Sequence, residues 1–481
     1  MDVWGGDQQD QKPRLVRGFF IGKNMPLNSL DKHAFGKLLS STVYPAQPIH
    51  SIENLFGREK ELDRIEKALF AGGRHVFIYG DRGVGKSSLA ATAANQYQSS
   101  DAEYIDVSCS PDTTLASLIA NIAYKATQTS RLTKSTLKSS IEANFRFLKA
   151  IISEESSAKD LSNEIKTTAD AISVLIEAAE IHSENPIVVI DEFDRISCEH
   201  ERNLFADLIK QIGDKRINIK IIFTGVAKTL DSLLGAHQSA IRQLETIELP
   251  KLSWDARWAI VINAARKFEI TVDHEMLVRI AAVSDGYPYY VHLITEKLLW
   301  RVYESPAETK EVSWDHYHLA IKDSIQSISA ELKRPYELAI NQRTSDFEEV
   351  LWATADSEWI HRYVKDMYSS YEHIAKSLEP KQILDYKKFS TRIRSLKNSS
   401  HGEILIPDEH KKGMYSYKEK MLRGYVRMQA EANGIELIGD KTETKPKQQA
   451  HATVKSSSGY HQPKIPDGVT FKRSRSNNHE D

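Results

Sequence analysis

Apolar and polar positions follow two different rhythms along the first half of the chain. Short, nearly continuous apolar runs predict four buried strands, at 75–79, 104–107, 186–190 and 219–223. The segments between them repeat apolar residues at helical spacing, at 86–95, 115–126 and over much of 135–182. Because apolar runs separated by helices are typical of parallel strands covered on both faces, we predict an α/β domain with three layers.

The pattern changes twice more beyond this domain. Residues 253–330 have helical spacing throughout, and residues 345–430 show three short helical patterns, two short strands and a closing helix. We therefore expect five parts: an N-terminal arm at 1–49, the α/β domain at 50–252, a helical unit at 253–335, a third unit at 336–438 and a disordered tail at 439–481.

Two segments carry a more specific expectation. The N-terminal arm is polar and weakly patterned, so we expect it to be irregular up to about residue 45 and to pack on the body through Phe19, Phe20 and Ile21. The helical stretch 135–182 is long for a domain of this kind. It is either an insertion that binds a partner or an extra pair of scaffold helices.

Composition excludes several classes of protein. The 481 residues include 64 Lys and Arg against 66 Asp and Glu, a formal charge of −2, which excludes a globally basic nucleic-acid coat protein. No apolar run approaches the ~18 residues that cross a bilayer, and the N-terminus has no apolar secretion signal. The two cysteines, Cys109 and Cys198, are too few for a disulfide framework or a zinc site. We expect a cytoplasmic protein without a membrane partner.

A phosphate-binding loop follows the first predicted strand. The residues that form it match G-x-x-x-x-G-K-[ST]: Gly80, Asp81, Arg82, Gly83, Val84, Gly85, Lys86 and Ser87, with Ser88 next. The glycines allow successive N–H groups to converge on phosphate oxygens at a helix N-terminus. Lys86 is expected to bridge the β- and γ-phosphates, and the Ser87 hydroxyl to bind Mg²⁺.

Three polar residues follow the later strands. Asp191 and Glu192 end the third predicted strand, where Asp191 would hold Mg²⁺ and Glu192 would polarise the attacking water. Thr224 ends the fourth, where its hydroxyl would reach the γ-phosphate or the water, or would only begin a turn. Because the carboxyl ends of parallel strands meet at one edge of the sheet, we expect these residues to face the loop.

With these motifs the chain resembles the AAA+ ATPases, specifically the replication-initiator clade and the neighbouring STAND signalling ATPases. The resemblance covers about residues 50–430. It rests on the phosphate loop and on four further motifs: Phe56-Gly57-Arg58-Glu59, Asp191-Glu192-Phe193-Asp194, Thr224-Gly225, and Ser239-Ala240-Ile241-Arg242-Gln243-Leu244 ahead of Ile247-Glu248-Leu249-Pro250. It implies a P-loop AAA+ fold that binds ATP and Mg²⁺.

The resemblance also implies roles for residues outside the core motifs. Phe56 and Gly57 would lie near the adenine, and 253–335 would be the helical lid. Arg242 falls where relatives place an arginine that contacts a neighbour's γ-phosphate, which would require self-association; the alternative is an ordinary surface or packing arginine. The lid lacks the initiators' second sensor arginine. Its Gly286-Tyr287-Pro288 looks more like STAND ATPases, in which this segment lies near the base.

The third unit resembles a winged helix. In its third helix Phe389, Ile393 and Leu396 share one face, so other side chains of that helix point outward. Residues 387–428 contain eleven basic and four acidic residues, a net charge of +7. We expect either contact with duplex DNA or a solvated face used for protein contacts. The basic residues expected to face DNA are Lys387, Lys388, Arg394, Lys411 and Lys412.

These expectations combine into a Mg²⁺-dependent ATPase whose nucleotide state controls assembly on DNA or on a protein partner. Two alternatives remain open. One is a signalling or antiphage-defence ATPase like the STAND proteins. The other is a scaffold that ATP stabilises with little turnover.

Overall fold

The computed structural model describes residue 27 and residues 30–151, 158–227, 229–231, 242–306, 309–341, 346–378 and 383–438. All of these residues belong to one compact unit. The expected packing of Phe19, Phe20 and Ile21 and the predicted disordered tail lie outside the described residues. Within the described part, no helix is long and apolar enough to cross a membrane.

The first half of the chain folds around a sheet of five parallel strands. The strands are β1 (His75–Tyr79), β2 (Ile105–Ser108), β3 (Ile187–Asp191), β4 (Lys220–Gly225) and β5 (Leu244–Glu248). Their order in the sheet is β2-β3-β4-β1-β5. Among the described residues, the helices of this half include α2 (Glu59–Phe70), α3 (Lys86–Tyr97), α4 (Leu115–Gln128), α5 (Lys134–Asn144), α6 (Ala158–Glu164), α7 (Thr168–His182) and α8 (Glu199–Asp214).

The register of the strands gathers the predicted site residues at one edge. Tyr79, which precedes the phosphate loop, pairs with Gly225, and Asp191 pairs with Ser108. Because all pairs are parallel, the carboxyl ends of β1, β3 and β4 lie side by side. The predicted three-layer α/β fold with a P-loop is confirmed. In the predicted 135–182 stretch, α7 packs on α4 and buries Ile172 and Leu175, so this helix is part of the scaffold.

The expectation of an irregular N-terminal arm is wrong for its described part. Helix α1 (Lys32–Ser40) is capped by the Asp31 side chain and buries Phe35 completely. The Phe35 ring stacks on Tyr303 at 4.1 Å between ring centroids and meets Trp300 edge-on. The helix buries Phe35 and Leu39, but its nine residues are fewer than the ~11 over which helical periodicity is read, so it is not recognised in the sequence.

The second half begins with five helices. These are α9 (Trp254–Lys267), α10 (His274–Val283), α11 (Pro288–Tyr303), α12 (Trp314–Ser327) and α13 (Ala330–Ile340). Pro288 occupies the first position of α11, where its fixed φ favours the helix and its missing N–H is not needed. The boundary predicted at residue 335 falls inside α13.

The C-terminal unit combines three helices, an antiparallel sheet and a closing helix. Its elements are α14 (Phe347–Ala355), β6 (Arg362–Tyr363), α15 (Val364–Ser377), α16 (Tyr386–Ser395), β7 (Leu405–Pro407), β8 (Met414–Tyr417) and α17 (Leu422–Ala432). The sheet order is β6-β8-β7, with β7 and β8 forming a hairpin. Phe389, Ile393 and Leu396 are fully buried, as the spacing of the third helix predicts.

Candidate functional site

The phosphate loop joins β1 to α3 by a tight turn of the backbone. Gly83 and Gly85 have positive φ angles of 79° and 97°, in the left-handed region that other residues avoid. A β-carbon on Gly80 would lie 2.5 Å from the Leu249 carbonyl oxygen, so only glycine fits there. Helix α3 begins at Lys86, and its first N–H groups therefore open toward the loop.

Lys86 lies against the loop that precedes it. Its ammonium donates to the carbonyl oxygens of Gly80 at 3.1 Å and Asp81 at 2.9 Å. Burial lowers the pKa of Lys86, and the carboxylates of Asp194 and Asp191 act against this shift. Asp191 at the end of β3 and Asp194 just after it therefore lie near enough to interact with this ammonium.

Asp191 is oriented by two neighbours at the end of β3. Its Oδ1 accepts from the Glu192 N–H at 3.0 Å and from the Thr224 hydroxyl. The Thr224 oxygen in turn accepts from the same Glu192 N–H at 3.1 Å. Thr224 is 1% exposed. Its hydroxyl hydrogen is thus bonded to Asp191. Contact of Thr224 with the γ-phosphate or the water, with a turn as the alternative, stays a prediction.

Glu192 is held in an unusual conformation beside a cation. Its φ is +55°, a left-handed value that costs a non-glycine residue of order 1 kcal/mol and is found often at functional sites. Its carboxylate forms an ion pair with Arg195 at 2.8 Å, and both side chains are half exposed. Sequence reasoning missed Arg195, although the spacing of three residues after Glu192 indicates such a pair.

A cleft beside the loop lies between the N-terminal segment, α3 and the helical unit. The residues that line it are Ile49, Asn54, Leu55, Phe56, Arg58, Val84, Gly85, Ser88, Leu252, Ile260, Pro288 and His292. Five of these belong to the predicted cofactor-binding set. Gly57 does not line the cleft; it lies against α9, where an added β-carbon would be 2.5 Å from the Ala256 β-carbon.

Residues 54–222 match the family model of the AAA ATPase domain. Together with the five-stranded parallel sheet, this match shows a P-loop AAA+ fold. The matched segment includes the phosphate loop, Asp191 and Glu192 and ends before Thr224. The match therefore covers the α/β fold from its first helix to the fourth strand.

Several solved structures are similar to the chain. The Walker-type ATPase of Pyrococcus abyssi is 17% identical, covers 79% of this chain and 99% of its own, and has a TM-score of 0.43. The ORC2 protein of Aeropyrum pernix is 12% identical and has a TM-score of 0.44, and the match covers 82% of this chain and 98% of that protein. Cdc6p from Pyrobaculum aerophilum is 13% identical and has a TM-score of 0.41, and the match covers 82% of this chain and 98% of that protein. No curated protein matches the chain significantly.

Two residues that line the cleft were missed as site residues. Arg58 is buried, and its guanidinium donates to the carbonyl oxygens of Val84 at 3.0 Å and Pro250 at 2.7 Å, which ties the phosphate loop to the strand β5 connection. Burial lowers the pKa of Arg58. His292 lies four residues after Pro288, and that spacing places both on one face of α11.

The phosphate loop of the AAA ATPase domain also contacts the C-terminal half of the chain. Asp81 forms a 2.6 Å ion pair with Lys420, in the segment between β8 and α17. A β-carbon on Gly83 would lie 2.5 Å from the Met421 sulfur, so that side chain rests directly on the loop. Arg82 pairs with Glu331 of α13 at 2.9 Å.

A buried charge cluster lies at the start of α11. Asp285 is 4% exposed; it accepts two hydrogen bonds from Arg423 and forms ion pairs with Lys251 at 2.8 Å and Arg427 at 2.9 Å. The cations hold the pKa of Asp285 well below its usual range against the effect of burial. Two arginines of α17 thus reach into the helical unit and bind its Asp285.

Arg242 lies away from the other site residues. It is exposed and precedes β5, whose first residue, Leu244, pairs with His75 at the amino end of β1. This is the opposite edge of the sheet from the phosphate loop. Residues 239–241, which complete the motif quoted for this arginine, lie outside the described residues.

The basic residues of the C-terminal unit divide into two groups. The five that were expected to face DNA are exposed: Lys387, Lys388, Arg394, Lys411 and Lys412. Arg423 and Arg427 are buried on Asp285, and Lys420 pairs with Asp81. The net charge counted from the sequence therefore overstates the charge that this surface presents to solvent.

Proposed function

We propose that this protein is a Mg²⁺-dependent ATPase whose nucleotide state controls how a C-terminal winged helix engages duplex DNA. The observation that carries the proposal is the contact between the phosphate loop and the segment 418–421, through Asp81–Lys420 and Gly83–Met421. The loop is the part of an AAA ATPase domain that suits phosphate. The segment 418–421 belongs to the C-terminal unit.

The polar groups at the carboxyl edge of the sheet suit ATP hydrolysis. Lys86 would place its ammonium on the β- and γ-phosphates, and Glu192 would orient water for in-line attack after its carboxylate leaves Arg195. Among the described residues, the hydrogen bonds that Asp191 accepts end on Oδ1, which leaves Oδ2 for a metal ion. Asp191 and the Ser87 hydroxyl together offer the oxygen ligands that Mg²⁺ prefers. When bound, Mg²⁺ would neutralise charge developing on the phosphate oxygens.

The segment 418–421 follows strand β8 directly, and β8 forms one side of the hairpin that carries Lys411 and Lys412. Movement of the phosphate loop on binding nucleotide would therefore be transmitted to this hairpin through few residues. Arg423 extends the same connection to Asp285 at the start of α11. We expect ATP and DNA to alter each other's affinity by the same factor, since coupling between two binding sites is reciprocal.

The first experiment is ATP turnover with and without duplex DNA, in the wild type and in Glu192→Gln. Stimulation by DNA that falls with salt and disappears in Glu192→Gln supports the proposal. ATP turnover that DNA does not change contradicts the proposed engagement of DNA and favours a protein partner in its place. Absence of ATP hydrolysis in the wild type contradicts the ATPase itself and favours a scaffold.

The DNA surface is tested by charge reversal with a matched control. Lys387→Glu with Lys388→Glu should weaken DNA binding and reduce the dependence of log affinity on log salt by about 2, since each phosphate contact contributes ~0.9. The control carries the same change at Lys60 and Lys215, which are exposed on the AAA ATPase domain. Equal losses in both double variants would contradict a specific surface.

The coupling is tested at two lysines of one segment. Lys420→Ala removes the contact with Asp81, whereas Lys418→Ala removes a surface pair with Glu403. We expect the factor by which ATP changes the DNA dissociation constant to move toward one in Lys420→Ala and to be unchanged in Lys418→Ala. An unchanged factor in both variants would contradict transmission through this segment.

Self-association is the last part of the proposal. Because Arg242 lies at the edge of the sheet opposite the phosphate loop, it can complete only the site of another copy. Arg242→Ala and Glu192→Gln should each be inactive, and a mixture should regain turnover where an intact Glu192 faces an intact Arg242. A mixture that stays inactive, or an Arg242→Ala variant with full turnover, contradicts this role.

A further inference from the structure

The cleft beside the phosphate loop contains one histidine with an unusual hydrogen-bonding state. His292 lies one helical turn after Pro288 on α11 and lines the cleft together with Gly85 and Ser88 of the phosphate-loop region. It is 2% exposed. A side chain this deeply buried normally has a partner for each polar atom.

The partner of one ring nitrogen is known and determines the tautomer. The backbone N–H of Tyr44 donates to Nδ1 of His292 at 3.3 Å, and the two rings meet edge-on. A nitrogen that accepts a hydrogen bond carries no proton. Burial lowers the pKa of His292 to about 4, so the ring is neutral near pH 7. The single proton of the ring is therefore on Nε2.

That Nε2–H group has no hydrogen-bond partner among the described residues. The neighbouring polar side chains of the cleft have partners within the chain. Arg58 donates to two carbonyl oxygens, Ser88 accepts from the Ile49 N–H, and the Asn54 amide bonds to Tyr44 and Lys267. His292 is thus the one residue, among the described residues lining the cleft, with a buried side-chain polar atom left unpaired.

The remaining surroundings indicate what this donor suits. The apolar part of the lining is supplied by Ile49, Leu55, Phe56, Val84, Leu252, Ile260 and Pro288. A flat, largely apolar ring with an acceptor nitrogen at its edge would satisfy both the walls and the donor. Adenine has three such ring nitrogens, N1, N3 and N7.

We propose that His292 is a specificity-determining residue, whose Nε2–H donates a hydrogen bond to a ring nitrogen of bound adenine. This inference rests on the proposed function, because it takes the cleft to hold the base of the nucleotide whose phosphates bind at the loop. Tyr44 acts as a positioning residue, since its N–H selects the tautomer that places the ring proton of His292 on Nε2.

The test compares ATP with three analogues in which a C–H group replaces one ring nitrogen: 1-deaza-ATP, 3-deaza-ATP and 7-deaza-ATP. Dissociation constants are measured by calorimetry on the full chain, so no turnover is required. In the wild type we expect one analogue to bind about tenfold or more weakly than ATP, because it leaves the buried donor unpaired. The other two analogues should bind like ATP.

Two variants separate the two ring nitrogens of His292. In His292→Asn the amide oxygen can still accept from Tyr44, but no atom reaches the position of Nε2. In His292→Gln the amide nitrogen reaches that position and can donate there. The preference for ATP over the weak analogue should be lost in His292→Asn and retained in His292→Gln. Both variants are first checked for a wild-type unfolding transition.

The outcomes distinguish this inference from the proposed function. If the wild type binds ATP and all three analogues equally, His292 does not donate to the base, and the ATPase proposal stands. A preference that survives in His292→Asn also contradicts the inference, because another group would then discriminate between ATP and the analogue. If the wild type binds no ATP, the proposed function is wrong and this inference is wrong with it.

Discussion

Neutralising Asp285 should destabilise the protein strongly, because this one carboxylate balances three buried or half-buried cations. Arg423 and Arg427 are each 3% exposed, and Lys251 is 20% exposed. Asp285→Asn keeps the shape of the side chain and leaves the cations facing one another. Removing one partner of a buried ion pair costs about 3–5 kcal/mol.

The carbonyl groups around the two arginines place the expected loss of stability at the lower end of that range. Arg423 also donates to the carbonyl oxygens of Trp359 and Glu358, and Arg427 donates to those of Ala355, Ala282 and Ser357. These bonds remain in the variant and offset part of the burial of both guanidinium groups. We therefore expect the free energy of unfolding to fall by about 3 kcal/mol.

Urea unfolding followed by tryptophan fluorescence measures this loss. The matched control is Asp63→Asn, which removes the same charge from an exposed pair with Lys67 on α2 and should change the free energy of unfolding by less than about 0.5 kcal/mol. The two variants should differ by more than about 2 kcal/mol. A loss below 1 kcal/mol in Asp285→Asn, or equal losses in both, would refute the reasoning.

The same carboxylate predicts a pH dependence of known sign. The pKa of Asp285 is lower in the folded protein than in the unfolded chain, because of the cations around it. The contribution of Asp285 to the free energy of unfolding is therefore present above its unfolded pKa of about 3.9 and is lost as the pH falls below that value. The difference in stability between the wild type and Asp285→Asn should shrink as the pH falls from 5 to 3. A difference that stays constant would contradict the assignment.

Three further predictions test other parts of the molecule. Burial lowers the pKa of Lys251 to about 7, below its unfolded value of about 10.4. The free energy of unfolding of the wild type should therefore rise between pH 7 and 10, and that of Lys251→Met should rise less, as measured by urea midpoints. Arg195→Ala should raise kcat by up to about fivefold if the half-exposed pair withholds Glu192 from water, since such a pair contributes up to ~1 kcal/mol; a lower kcat would contradict this. Phe35→Ala should lower the free energy of unfolding by about 3–5 kcal/mol if α1 is part of the folded body, and a loss below 1 kcal/mol would contradict it.

The sequence predicts the parts of the site that depend on contiguous residues. The phosphate loop is a run of eight residues from Gly80 to Ser87 between a strand and a helix, so its identity and its surroundings follow from one pattern. Asp191 and Glu192 are recognised in the same way, as carboxylates that end an apolar run. Parallel strands bring these two segments together without further information.

Contacts between distant segments cannot be predicted in this way. Arg423 bonds to Asp285 across 138 positions of sequence, and nothing near either residue indicates the other. The partner of His292 is the backbone of Tyr44, 248 positions away, in an arm whose helix has only nine residues. The tautomer of that histidine, and with it the polar character of the cleft, is therefore a property of tertiary packing.

A count of charges illustrates the same limit with a consequence for function. The net charge of +7 over 387–428 treats every lysine and arginine as available to a DNA phosphate. In the folded chain, Lys420, Arg423 and Arg427 instead neutralise Asp81 and Asp285, so they connect the C-terminal unit to the phosphate loop and to the start of α11. The three residues that bind Asp81 and Asp285 would transmit the coupling. The exposed lysines, such as Lys387 and Lys411, would contact DNA. The residues expected to contact DNA end at Lys412 and those that bind Asp81 and Asp285 begin at Lys420, so the two groups follow each other along one folded unit, and substitutions at single positions distinguish their roles.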